Sequence, residues 1–153
     1  MASRRWSYRD LLAEADLEAL SVEDTAADFA EGLAALPLGA AVFVAELTGQ
    51  IVGYAYVLPS PDVDVPADTS ELGSICVMEE VAGKGVAPAL MDAAIDHAHA
   101  NGQGILTLWV RRENGRARRF NEKHGMRADG TQRRRPHDVL PTEMNEIRYR
   151  MSL

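Results

Sequence analysis

The chain has 153 residues, 46% of them hydrophobic and 25% charged, and a net charge of −7. That length suits one globular domain with a real core, and an acidic chain without an aromatic-rich basic stripe argues against a nucleic-acid partner. No apolar run approaches the roughly 20 residues of a membrane helix. Arg4 and Arg5 are followed by no signal-like apolar stretch, and the lone cysteine, Cys76, can form neither an internal disulfide nor a multi-thiolate metal site. A reducing, cytoplasmic setting follows most simply.

Charge is unevenly spread. Residues 1–110 carry 4 Lys+Arg and 17 Asp+Glu, a balance of −13, whereas residues 111–153 carry 12 and 6, a balance of +6. Two readings stay open: a pair of solvated faces, or a basic part that draws in a polyanionic small molecule.

In chain order, Tyr8 to Leu20 reads as a helix with Leu11, Leu12, Ala15 and Leu20 as its apolar positions. Ser21 with Asp24 resembles a cap for a second helix, which runs to about Leu36 and is ended by Pro37 and Gly39. Residues 41–46 and 51–57 are short, apolar and β-branched, and Thr48-Gly49-Gln50 turns between them, so an antiparallel hairpin is expected. A loop from Pro59 to Pro66 holds Asp62 and Asp64, and a third strand spans Glu71 to Met78. Beyond Val81-Ala82-Gly83-Lys84-Gly85-Val86-Ala87, the residues Ala87, Leu90, Met91, Ala94, Ile95 and Ala98 line one helical face. Asn101-Gly102 stops that helix, and Ile105 to Val110 is an apolar strand, completing a βαβ unit. A shorter helix follows Asn114 and ends at Gly125, and Arg133 to Leu153 holds one or two strands.

Glycines between a strand and a helix have a chemical use. The first turn of a helix presents backbone N–H groups with no internal partner at the positive end of the helix dipole. Gly83 and Gly85 remove the Cβ atoms that would keep an anion away, Lys84 adds a mobile charge, and Ala87 keeps the helix start open. A pyrophosphate suits such a loop, and so does a plain tight turn. The spacing matches neither the dinucleotide fingerprint nor the P-loop.

From Leu72 to Met126 the sequence resembles the core of the GNAT (GCN5-related) N-acetyltransferases. Val77 ends a strand, then come Ala82-Gly83-Lys84-Gly85-Val86-Ala87, Leu90, the strand to Val110, Asn114-Gly115-Arg116-Ala117-Arg118-Arg119-Phe120, and Lys123-His124-Gly125-Met126. The close likeness covers about a third of the chain and the coarse one covers most of it. It implies an α+β fold, a mixed and mostly antiparallel sheet with helices on both faces, in one domain. A splay between the strands at 71–78 and 105–110 would make an acyl-coenzyme A cleft. It also implies acetyl-coenzyme A as cosubstrate and a small-molecule or peptide primary amine as acceptor. The loop 83–87, with Ala82, Lys84 and Val86, would hold the pyrophosphate. The backbone of Ile75, Cys76 and Val77 would pair with the pantetheine arm, with Asn114 and Ala117 beside it; Asn114 also reads as a helix N-cap.

Four positions depart from the family pattern. Ala82 stands where Arg or Gln is usual, and Glu79 where proline is common. Asn121 stands where the family has the tyrosine that protonates the leaving thiolate, and an amide cannot release a proton at useful pH. Asn121 is either a solvated helix residue or an orienting hydrogen-bond donor. Only a few residues precede Trp6, where the family has a strand and most of a helix: either the first strand is absent, which would leave a sheet edge exposed, or this chain starts late. A non-catalytic coenzyme A-binding module is the alternative function, and a homodimer is left open.

Glu71, at the start of the third strand, is the first candidate for the general base. Asp62, Asp64 and Asp68 read as solvated loop residues that could also attract a cationic amine, and Cys76 reads as a buried structural residue. His97 reads as a near-surface residue, Arg116, Arg118 and Arg119 as a solvated face or a contact to a ribose phosphate, and Arg133-Arg134-Arg135 as an exposed loop or strand end. The histidines lack metal-ligand spacing, so no metal is expected.

Overall fold

A computed structural model describes residues 30–136 and 143–153. The expected helix over 8–20, and the start of the next at Ser21, lie outside the described residues. A last helical turn over 30–34 closes with Ala35 N–H donating to Glu31 O at 3.1 Å, just ahead of Pro37.

Six strands follow: β1 (Ala41–Leu47), β2 (Gln50–Pro59), β3 (Thr69–Val77), β4 (Ile105–Arg111), β5 (Arg127–Pro136) and β6 (Glu143–Ser152). They form one sheet in the order β1-β2-β3-β4-β6-β5, and the β3–β4 pair alone is parallel. Between these two runs the crossover helix α1 (Val86–Ala100), and α2 (Gly115–Lys123) follows β4. The hairpin β1–β2 turns on Thr48 and Gly49, both at positive φ (49° and 79°), the turn whose twist suits a two-residue hairpin. The βαβ unit and both helices stand where the sequence placed them. The last two strands begin earlier than read: residues 127–132 belong to β5, an edge strand that is mostly exposed.

Cross-strand register sorts the side chains. Val57 opposite Leu72, and Leu108 opposite Tyr149, share the face on which α1 lays Leu90, Met91 and Ala94 to make the core. Both described helices cover this face. Opposite lies a polar face: Glu71 pairs with Thr107, Trp109 with Arg148, and Glu146 with both Arg111 and Arg133. Consecutive residues of β6 therefore serve opposite sides. Arg148, 5% exposed, donates to Asp62, Asp64, Asp129 and Thr131 on the polar face. Tyr149, 1% exposed, donates its hydroxyl to Glu122 Oε1 at 2.7 Å and accepts from Arg118 Nε at 3.2 Å under α2.

Gly53 on β2 shows how tightly the core face is fitted. A Cβ there would lie 2.9 Å from Cys76 O, 3.0 Å from Val77 Cγ1 and 3.2 Å from Leu90 Cδ1. The first of these is backbone and cannot swing away. Gly53→Ala should therefore destabilise the fold by about 1–3 kcal/mol, the usual cost of overpacking; an unchanged midpoint in urea unfolding would contradict this packing.

Candidate active site

The parallel pair β3–β4 is short. Only Thr69–Ile105, Ser70–Leu106 and Glu71–Thr107 are in register. Past that point the strands separate, although β3 runs on to Val77 and β4 to Arg111. The base of the fork is fastened by Thr107 Oγ1 donating to Ser70 O at 3.3 Å and by Asp68 O accepting from the amides of Gly104 and Ile105. A β-bulge sits next to it: register slips between Tyr56 and Val57, so Gly73 is the extra residue on β3. The expected splay is thus present, and Ile75, Cys76 and Val77 lie along its β3 arm, paired with β2 on their outer side.

A short 3-10 turn, Glu79–Val81, leads from β3 into the glycine loop. Gly83 and Gly85 both hold positive φ, 75° and 85°, and a Cβ on either would meet nothing within 4 Å. Their side of the loop is open, and it is backbone conformation that calls for glycine there. Gly85 caps α1 with no side-chain hydrogen bond and no acid in the first turn, and Pro88 has no N–H to offer. The amides of Gly83, Gly85, Val86 and Ala87 have no partner among the described residues. Lys84 is exposed beside them and Ala82 half-buried. Unpaired amides at an open helix start fit an anionic diphosphate.

Glu71 ends the paired part of β3 at the fork. It is 9% exposed, and its Oε2 is buried with no hydrogen-bond partner among the described residues. Burial, first, and the neighbouring charges of Asp62 and Glu146 push its pKa up to about 7, against the opposing pull of Arg133 and Arg135. Around it the polar face is dense with ion pairs. Arg148 Nη1 donates to Asp62 Oδ2 at 3.0 Å and to Asp64 Oδ1 at 2.7 Å, and its Nε to Asp129 Oδ2 at 2.6 Å. Trp109 Nε1 donates to the same Asp62 oxygen at 3.0 Å. Hydrogen bonding from Arg148 lowers the pKa of Asp64, and the Asp64 contact leads in raising that of Arg148. Arg133 Nε and Arg135 Nε both donate to Glu146 Oε2, at 2.7 Å and 3.1 Å.

Several expectations are corrected. Asp62 is not a solvated loop acid but a partly buried ligand of the Arg148 guanidinium, and Asp64, exposed in the loop as expected, binds the same guanidinium from the solvent side. Of the two readings of Arg133-Arg134-Arg135, the strand end holds: they close β5, with Arg133 and Arg135 half-buried and paired to Glu146 rather than exposed. Asn121 is 3% exposed, so the solvated reading fails: with Ala117 it lies on the inner side of α2, and its backbone oxygen accepts the amides of His124 and Met126. Cys76 is half-buried rather than buried, its thiol 3.7 Å from Ser74 Oγ. His97 is half-buried and reaches Gly39 O at 3.0 Å, holding α1 to the start of the sheet. Arg118 serves Tyr149. Asn114 caps α2, its Oδ1 accepting from Ala117 N–H at 3.0 Å. The residues that sequence reasoning passed over are Trp109, Glu146, Arg148 and Tyr149. The alternation of residues 147–151 marked Arg148 and Tyr149 as facing opposite ways, but not what they face.

A fork with a bulge at its base, an open glycine loop and a buried acid with one oxygen unpartnered among the described residues define an acyltransferase-like architecture. The profile of the Acetyltransferase (GNAT) family matches residues 6–126. The chain belongs to the GNAT acetyltransferase family, whose members use acetyl-coenzyme A. It is 37% identical over 93 residues to an uncharacterised N-acetyltransferase of Mycobacterium tuberculosis strain H37Rv, covering 60% of this chain and 55% of that protein. An uncharacterised N-acetyltransferase of Archaeoglobus fulgidus is 31% identical over 97 residues, covering 56% of this chain and 59% of the other. The chain thus spans little more than half the length of these curated relatives. Among solved structures, the GCN5-related N-acetyltransferase of Rhodopseudomonas palustris aligns with a TM-score of 0.73 at 27% identity, covering 99% of this chain and 84% of that one. The PaiA N-acetyltransferase of Thermoplasma acidophilum, solved with coenzyme A, shares the fold with a TM-score of 0.71 at 16% identity, covering 99% and 87%.

Glu71 makes a stability prediction. Its folded pKa, about 7, lies above its ordinary 4.5, so the folded state holds a proton that the unfolded chain has released. Its contribution to stability therefore falls as pH rises from 4.5 to about 7 and stays unfavourable above that. Glu71→Gln should be as stable as the parent at pH 4 and more stable at pH 8, by roughly 1–3 kcal/mol. Parallel stability-versus-pH curves for the two proteins would refute it.

Proposed function

We propose that this protein is a cytoplasmic N-acetyltransferase that moves the acetyl group of acetyl-coenzyme A to a primary amine of a small molecule or peptide, with Glu71 as general base. The observation that carries this reading is the Glu71 carboxylate: buried at the fork, with one oxygen unpartnered among the described residues and a pKa of about 7. A carboxylate at its ordinary pKa is a weak base for an ammonium. One near neutrality is still substantially ionised at working pH and binds the proton better.

The bound thioester supplies an activated acetyl carbon. The chain's own groups supply the rest. The amides of the 83–87 loop hold the diphosphate at the head of α1, while the inner edge of β3 at Ile75 to Val77, with Asn114 and Ala117 across the fork, lines up the pantetheine arm. Backbone N–H groups near Val77 polarise the carbonyl. Glu71 Oε2 takes the proton from the amine as the new C–N bond forms. The sulfur keeps the electron pair when the C–S bond breaks. Asn121 offers a hydrogen bond but no proton, so the departing thiolate is protonated by water. Holding both reactants in one fork supplies much of the acceleration.

One observation favours a second reading. An amide at position 121 and a methyl at position 82, where the family carries a phenol and a long polar side chain, suit a module that binds coenzyme A without turning it over. The two separate cleanly. Both predict stabilisation by acetyl-coenzyme A, about 2.7 kcal/mol at a hundred times its Kd. Only the enzyme releases free thiol across a panel of primary amines. For the enzyme, kcat/KM should climb with pH along a limb centred near 7. Glu71→Gln should remove that limb and lower kcat/KM by about 10²–10⁴-fold. Binding without thiol release from any amine leaves the non-catalytic module standing.

A further inference from the structure

The polar face beside Glu71 is sorted by sign. Toward the loop 60–68, three carboxylates, Asp62, Asp64 and Asp129, share the single Arg148. Toward the C-terminal end of β5 the ratio reverses, and Arg133 and Arg135 converge on one oxygen of Glu146. Glu71 lies within the electrostatic reach of both poles, since Asp62 raises its pKa and Arg133 lowers it. Each of these other acids has an arginine, whereas Glu71 has an empty oxygen.

Arg133 is built unlike a solvated surface arginine. Its guanidinium lies 4.1 Å from the centroid of the Trp109 ring, and its Nε is anchored on Glu146. Trp109 is itself held by the bond of its Nε1 to Asp62. Stacking and anchoring fix the plane of the guanidinium, so little rotamer freedom remains to be lost on binding a ligand. The two Nη groups have no partner among the described residues, and a third of the side chain is exposed, at 33%. A guanidinium with one edge held and the other edge open presents the paired donors that a carboxylate accepts.

We propose that Arg133 anchors an anionic group of the acceptor, so that the preferred acceptor is a small amino carboxylate whose nitrogen reaches Glu71 while its carboxylate meets the Nη edge of Arg133. This rests on the reading of Glu71 as the base and adds the substrate class to it. A zwitterion lies along the existing field of the face, with its ammonium toward the acidic pole and its carboxylate toward the basic one. A plain alkylamine leaves the open edge of Arg133 without a counter-charge, and an acceptor with a second cation would meet the basic pole with repulsion.

The test compares matched acceptors on the intact protein with acetyl-coenzyme A: glycine, β-alanine and γ-aminobutyrate against glycinamide and ethylamine, followed by free-thiol release. At least one amino carboxylate should show a KM about 10-fold or more below both counterparts that lack a carboxylate, the size expected of a charge-assisted contact. In Arg133→Met that KM ratio should collapse toward one, and Arg133→Lys should restore part of it. Equal KM values for the carboxylates and their counterparts in the parent protein, which needs no variant, overturn the proposal. If no amine releases thiol, the enzyme reading fails, and calorimetry on the coenzyme A complex decides the binding claim separately. Tighter binding of an amino carboxylate than of glycinamide, lost in Arg133→Met, supports it; equal binding of all five refutes it.

Discussion

The fork between β3 and β4 is the constraint on which the rest of the molecule depends. Three parallel pairs hold the strands together at residues 69–71 and 105–107, and then each strand continues with a partner on its outer side only. Backbone N–H and C=O groups on the inner edges are left to water or to a ligand, because no strand fills the gap. A ligand with its own amides could complete that ladder, as the proposed pantetheine arm would. The same divergence puts the end of β3 at the glycine loop and the end of β4 at the cap of α2. One opening thus gathers the amides of the glycine loop that have no partner among the described residues, Asn114 and Glu71.

Opposite the helices, the sheet carries charge where most sheets carry oil. The cost of burying Arg148 is offset by three carboxylates and a hydroxyl, and Trp109 shields one side of the cluster. Because Asp62 belongs to the loop after β2 while Arg148 belongs to β6, this cluster ties one arm of the fork to the other across its base. Glu71 sits in the same electrostatic neighbourhood with no ion pair among the described residues, and burial first, then the charge of Asp62, raises its proton affinity. Asp129 shows the opposite outcome: burial opposes its ionisation, but the Thr131 amide and Arg148 outweigh it and its pKa falls.

Local features were legible in the sequence, and long-range ones were not. The hairpin at 41–57, the glycine loop and α1 follow from alternation, turn residues and a helical period, all set within a few residues. Asn114 was readable as a cap for the same reason, and Glu71 stood out as the acid that begins a strand. The partners of Arg148 lie 84, 86 and 19 residues away, and nothing in the neighbourhood of any one of them announces the others. Asp62 and Asp64 therefore looked like solvated loop acids. Residues 127–132 drew no strand assignment because an edge strand exposed along most of its length needs no apolar alternation. Asn121 looked like a surface residue because its polarity was visible and the inner side of its helix was not.

The neighbours Arg148 and Tyr149 make β6 a strand that checks its own alignment. One residue grips the charged face and the next grips the underside of α2, so sliding the strand by a single step would exchange them. A guanidinium would then face the oily interior and a phenol the acids. Either exchange would strand a charge or a hydroxyl away from its partners, so β6 acts as a latch that closes in one position.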